Sequence, residues 1–336
     1  MEGKKKKLAT LVGCNYAGTP HELRGCINDV LAMRHVLLAR LGFAPADVTV
    51  LTDDDDRGAA AVLPTGANIR RALADMVARA APGDVLFFHY SGHGTLVPPV
   101  TPRHRGRDEA IVPCDFNLIT VADVDFRQLV DRVPHGASFT MVSDSCHRGG
   151  LIDNEKEQIG PSVDLPRGSS APASARRTAR RFLPYAAVLN HLSGASGLDA
   201  SRHVADHLLA LFGGDASPKF HQHRHHDSAP PPTPRPDAGI LLSGCQTDET
   251  SADVAEDDET AAEGGKQQAC GAFSNAVQAV LAAHPAPLSN REVVSRARKV
   301  LREQGFEQHP CLYFSDANAD APFLCQQEEP AAMAVL

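Results

Sequence analysis

Gly83–Gly94 reads GDVLFFHYSGHG. A Gly-Asp turn signal opens it, apolar and aromatic residues follow almost without interruption, and a glycine-rich segment closes it. A strand with one wet face would alternate apolar and polar residues. This run does not alternate, so both of its faces must be covered. A strand buried on both sides belongs to a largely parallel sheet with a layer of helices on each face. Ligands of such sheets bind beyond the carboxyl ends of the strands. His93 stands there, between Gly92 and Gly94.

Outward from this stretch the same pattern repeats. KLATLVGCNY (Lys7–Tyr16), DVTVLTD (Asp47–Asp53), SFTMVSDSC (Ser138–Cys146), GILLSGCQTD (Gly239–Asp248) and CLYFS (Cys311–Ser315) all read as apolar strands running into polar turns. Between them lie helical patterns. Val30, Met33, Leu37 and Leu41 recur at helical spacing before Gly42, and Ile69, Leu73, Met76, Val77 and Ala80 do the same. Ser289 and Glu292 form a capping box ahead of Val293, Ala297, Val300 and Leu301, and Gly305 ends that helix. The expected fold class is therefore α/β, a mostly parallel central sheet flanked by helices on both faces.

The middle of the chain breaks the rhythm. From about Glu155 to Asp237 it holds RGSSAPASARRTARR and HQHRHHDSAPPPTPRP, with a weak helical patch at SRHVADHLLALFG between them. The expected organisation is a large region over 1–165, an exposed linker over 166–236, and a small region over 237–336 that completes the same sheet. The chain has 336 residues, 43% of them apolar, enough for a sizeable core. A formal net charge of −8 argues against a nucleic-acid partner. No run approaches the roughly 20 apolar residues of a membrane span. MEGKKKKLATLVG lacks the apolar core of a secretory signal, so a cytoplasmic location is expected. Eight scattered cysteines with no CxxC pair read as reduced thiols. Asp53–Asp56 reads as a solvated turn. The histidines at 221, 223, 225 and 226 read as a solvated loop, with metal buffering as the competing reading.

A second strand end carries chemistry. TMVSDSCHRGG (Thr140–Gly150) delivers Cys146 where an apolar strand stops. A lone cysteine there is more often a buried thiol. His93, 53 residues upstream in an equivalent setting, changes the balance. A thiolate attacks carbonyls and a thiol does not, and a nearby imidazole can take the thiol proton and return it to a leaving amine. A glycine N–H beside the nucleophile is a natural oxyanion donor.

HYSGHG and DSCHRGG, with GCINDV (Gly25–Val30) and EAIVPCDFNLIT (Glu109–Thr120), resemble the metacaspases, caspase-like cysteine peptidases. GILLSGCQTDETSAD and GAFSNAVQAVL, following a long insert, resemble the plant type II group. The short linker and HPCLYFSDANADAPFL are most similar to its metacaspase-9-like branch. The resemblance runs from about Leu8 to Cys325. It implies a caspase–hemoglobinase fold, a monomer, protein or peptide substrates cut after Arg or Lys, and a setting in programmed cell death. It makes His93 and Cys146 the catalytic dyad, with oxyanion donors at Gly94 and Cys146. It places Cys26, Asp29, Ser91 and Asp144 in the pocket for the basic side chain, where carboxylates would pair with a guanidinium.

The resemblance also implies an inactive precursor cut in RRTARRFLPY (Arg176–Tyr185), and similarity to the short-linker branch favours Arg181 over its neighbour Arg180 as the cleaved residue. Calcium, bound in many metacaspases by aspartates, maps onto Asp108, Asp123, Asp125 and Asp153. Val124 splits the family's adjacent Asp pair, so calcium is expected to be dispensable. After Cys-His the family commonly has Ser-Gly-Gly, whereas this chain has Arg148-Gly149-Gly150. That departure keeps open a catalytically weak homologue acting as a binding or scaffold protein.

Overall fold

A computed structural model describes residues 5–54, 62–98, 108–121, 125–145, 156–159, 178–198, 203–222, 239–245, 249–255, 268–314 and 318–325. In chain order its elements are β1 (Lys7–Gly13), α1 (Cys26–Ala39), β2 (Val48–Thr52), α2 (Gly66–Ala78), β3 (Val85–Ser91), β4 (Gly94–Val97), β5 (Asp108–Ile111) and β6 (Ile119–Thr120). There follow α3 (Asp125–Val130), β7 (Ser138–Asp144), β8 (Lys156–Ile159), β9 (Thr178–Arg180), α4 (Tyr185–Ser196), α5 (Val204–Phe212) and α6 (Pro218–Gln222). The chain closes with β10 (Ile240–Ser243), β11 (Ala252–Val254), β12 (Cys270–Gly271), α7 (Ala272–Ala283), α8 (Asn290–Glu303) and β13 (Cys311–Phe314).

The central sheet has the order β2-β1-β3-β7-β10-β13-β8. Its first four pairings are parallel, and β13 and β8 add an antiparallel edge. All seven residues of β3 are buried, as its unbroken apolar run requires. Leu86, Phe88 and Tyr90 face one core with α2, α3, α4 and α5, while Val85 and Phe87 face the other with α1, α7 and α8. Each such fully buried side chain contributes about 1.5–3 kcal/mol. The Ser289–Glu292 capping box is formed at the start of α8. No helix among the described residues is long and apolar enough to cross a membrane.

The register decides what meets at the carboxyl edge. Gly13 pairs with Ser91, and Ser91 pairs with Asp144. His93 and Cys146 each follow that level by two residues along the chain. Two smaller sheets flank the edge: β4-β5-β6 and β12-β11-β9.

The stretch read as an exposed linker is not all linker. It forms β9 and helices α4, α5 and α6, and Val188, Leu192, Leu208 and Phe220 are buried in the core beside α2 and α3. The i, i+4 apolar pairs were there in sequence. Leu189, Asn190 and His191 fill the positions between Val188 and Leu192, so the contrast between the faces of α4 is low.

Candidate active site

His93 is fixed through its backbone by two tyrosines. Its N–H donates to the Tyr16 hydroxyl at 2.9 Å, and the Tyr90 hydroxyl donates to its carbonyl at 2.8 Å. The Tyr16 hydroxyl in turn donates to the carbonyl of Val112. This clamp needs Gly92, because a Cβ there would lie 2.6 Å from the Tyr90 oxygen and 2.9 Å from that of Tyr16. Tyr16 has φ 53°, and Asp53 holds it there by accepting from the N–H groups of Asn15 and Tyr16 at 2.8 and 2.7 Å. Asp53 is therefore no solvated turn residue, as the acidic run had suggested. It is the anchor of the loop that presents Tyr16.

The imidazole is 3% exposed. Its Nε2 meets the carbonyl of His21 at 2.8 Å, so Nε2 carries the hydrogen. Nδ1 is left as an unprotonated base with no hydrogen-bond partner among the described residues. Burial lowers the His93 pKa to about 4, and the nearby Arg181 charge adds to the effect. The ring thus stays neutral at ordinary pH. Tyr16→Phe leaves the His93 N–H buried without an acceptor, a loss of about 1–3 kcal/mol. We expect kcat to fall about tenfold with little change in KM, measured on a fluorogenic peptide.

The expected pocket residues converge around one side chain, Arg181, which is fully buried. Its Nη2 lies 2.8 Å from Asp29 Oδ2 and 2.7 Å from Asp253 Oδ1. Its Nη1 donates to Ser91 Oγ at 2.6 Å and lies 3.3 Å from Asp144 Oδ2. Ser91 passes its own hydrogen to Asp29 at 2.7 Å. Cys26 lines the same site as a neutral thiol, pushed well up by burial although Arg181 draws it back. Burial raises the Asp29 and Asp144 carboxyls, and Arg181 opposes that rise. Burial pulls the guanidinium down, and Cys26, Asp144, Asp29 and Asp253 together lift it well above an ordinary arginine. Gly271 closes the floor: a Cβ there would run into Asp144 and Arg181.

The backbone of Arg181 is placed as carefully as its side chain. β9 pairs antiparallel with β11, and the Arg181 N–H donates to the Ser251 carbonyl at 3.0 Å. The Gly94 N–H donates to the Arg181 carbonyl at 3.0 Å, and Leu183 N–H returns to the Gly94 carbonyl at 2.9 Å. A basic side chain thus fills an acidic pocket, with its own carbonyl held by the N–H of a glycine beside a neutral histidine.

The caspase-domain family matches residues 6–321. Metacaspase-9 of Arabidopsis thaliana is 54% identical over 331 residues, covering 96% of this chain and 98% of its own. The chain belongs to the metacaspases of the caspase-domain family. Metacaspase-6 of Arabidopsis thaliana is 38% identical over 377 residues, covering 95% of this chain and all of its own. A solved structure of a protein from Geobacter sulfurreducens superposes with a TM-score of 0.59 at 20% identity, covering 96% of this chain and 100% of that one, and shares the fold. As a metacaspase the protein is a cysteine-type peptidase acting on protein substrates.

Other expected site residues of this metacaspase fall elsewhere. Cys146, Arg148, Asp123 and Asp153 lie outside the described residues. Arg180 is exposed, one residue away from the pocket that Arg181 fills. Asp108 is paired with the ammonium of Lys219 at 2.7 Å. Asp125 Oδ2 accepts from the Thr120 N–H and hydroxyl, both at 2.9 Å, and from the Ser217 hydroxyl at 2.6 Å. Calcium wants six to eight oxygens. Asp108 is already neutralised, and of Asp125 only Oδ1 lacks a hydrogen-bond partner among the described residues. Among the described residues these two aspartates alone do not make a site for the ion.

The sequence reading missed Asp253, the third carboxylate. It is anchored by the N–H groups of Arg24 and Gly25 at 2.9 and 3.1 Å. It lies in β11, outside the central sheet, and no strand-end signal marked it.

Proposed function

We propose that this peptidase is an endopeptidase selective for Arg or Lys on the acyl side of the cut bond, made as a zymogen and matured by its own cut after Arg181. The observation that carries this reading is the burial of Arg181 against three carboxylates with its carbonyl on the Gly94 N–H. Cys146 passes its thiol proton to His93 Nδ1, and the thiolate attacks the Arg181 carbonyl carbon. The developing oxyanion is stabilised by the Gly94 N–H, with the Cys146 N–H as the second donor. Collapse breaks the bond to Phe182, and the imidazolium protonates the leaving amine. Water, deprotonated by the same imidazole, then hydrolyses the thioester. Until that cut is made, Arg181 fills the pocket and excludes other substrates.

The test is a purified enzyme assayed on peptides ending in Arg, Lys or Asp. Arg and Lys peptides turn over; an Asp peptide meets like charges, a cost of several kcal/mol, and is slower by about a thousandfold or more. Cys146→Ala abolishes turnover. Because His93 is neutral down to about pH 4, cleavage persists in mild acid and is lost as pH falls through the imidazole pKa. Turnover by Cys146→Ala, or equal rates on Arg and Asp peptides, would reject the reading.

A further inference from the structure

Behind the pocket lies a buried polar pair that nothing above uses. His89, on the β3 face that carries Ser91, is fully buried, and its Nε2 lies 3.1 Å from the hydroxyl of Ser274. Ser274 is in the first turn of α7 and is fully buried. Its N–H donates to Asp144 Oδ2 at 2.7 Å, and its hydroxyl favours the ionised form of the same carboxylate, whose Oδ1 has no hydrogen-bond partner among the described residues.

A serine hydroxyl has one hydrogen. If it is given to Asp144, the approach of His89 Nε2 must be a donation. That fixes the neutral Nε2–H tautomer and leaves Nδ1 as a bare acceptor. Nδ1 is indeed without a hydrogen-bond partner among the described residues, where an N–H would be a costlier orphan. Burial lowers the His89 pKa to about 4, which keeps the ring neutral, as the tautomer requires. The first turn of α7 adds its own positive end to the same carboxylate.

We infer that His89 and Ser274 are positioning residues for the basic-side-chain pocket: His89 donates to Ser274, and Ser274 donates to Asp144, keeping that carboxylate ionised and aimed at the guanidinium. This rests on the Arg/Lys pocket proposed above. The need for such support is electrostatic. Asp144 faces Asp29 from α1, Cys270 from β12, His89 from β3 and the Arg181 guanidinium, around which Cys26 and Asp253 also stand. Once Arg181 leaves, that cation is gone and the carboxylates remain. Without hydrogen-bond donors, Asp144 would take up a proton in the empty pocket and lose its pull on an incoming arginine.

The experiment is the pH profile of kcat/KM for an Arg-terminated peptide with mature wild type, Ser274→Ala, Ser274→Thr and His89→Phe. With Ser274→Ala the acid limb moves up by about one pH unit, and the loss is carried by KM. Ser274→Thr keeps a hydroxyl and restores the wild-type limb. His89→Phe shifts the limb in the same direction by less, since the serine can still donate. A merely structural role would lower thermal stability without moving the limb. If wild type shows no preference for Arg over Asp peptides, the pocket reading fails and takes this inference with it. If wild type prefers Arg and the Ser274→Ala limb stays in place, the inference alone is overturned. The Ala/Thr pair at 274 decides the test even where His89→Phe misfolds.

Discussion

Asp29→Asn lowers kcat/KM for an Arg-terminated peptide by about 10²- to 10³-fold, the largest loss expected of any pocket substitution. Asp29 is the hub. Its Oδ2 takes Arg181 Nη2 and the Ser91 hydroxyl, and its Oδ1 takes the Gly271 N–H at 2.8 Å. An amide keeps only one acceptor oxygen, so its NH₂ must face either the Gly271 N–H or the guanidinium. Breaking a buried ion pair from one side costs about 3–5 kcal/mol, and 1.36 kcal/mol is a factor of ten in rate. Asp253→Asn has a milder effect, because Arg24 and Gly25 already share its oxygens. The mature Asp29→Asn enzyme should melt no lower than wild type. With Arg181 gone, removing one of three facing negative charges relieves repulsion. A drop of less than fivefold on the Arg peptide would sink this assignment. So would an equal drop on a peptide with an uncharged residue at that position, since the lost interaction is a charge pair.

How much of this site could be read from the chain follows from distance along it. His93, Gly94, Ser91 and Asp144 sit at or just beyond strand ends, and an apolar run ending in Gly or Asp announces such positions. Arg181 was visible as part of a basic stretch, but nothing local separated it from Arg180. That choice is made by partners far off in sequence: Asp29, 152 residues away, and Asp253, 72 away. Ser274 reaches Asp144 across 130 residues and His89 across 185. In the sequence it is one small residue in an apolar helix, and no periodicity marks it. Tyr16 looked like the end of a strand, and Asp53 like a solvated acid. Their roles exist only because parallel pairing sets β2 beside β1 and β1 beside β3. The missed helix α4 has a different cause: Leu189 stands between its apolar pair Val188 and Leu192 and carries apolar character off the core face.

Arg181→Ala, made in a Cys146→Ala background so that no chain is cut, turns a filled pocket into an open one. The parent should ignore methylguanidinium, because the tethered Arg181 guanidinium already satisfies Asp29, Asp253, Ser91 and Asp144. The variant should bind it and gain stability, about 2.7 kcal/mol at a hundred times its Kd. Without ligand the variant should melt several degrees below the parent at pH 7.5. The sign of the pH dependence then separates charge from packing. Burial raises the Asp29 and Asp144 carboxyls even with Arg181 present. Losing the cation lifts them further, so the folded variant holds protons that the unfolded chain has released. Such a group adds stability as pH falls toward its folded pKa, and the deficit against the parent should shrink between pH 7.5 and pH 5. Arg180→Ala, at an exposed side chain, should change neither curve. A deficit identical at both pH values, with no response to methylguanidinium, would mean that Arg181 acts as filler and not as the cation around which the pocket is built.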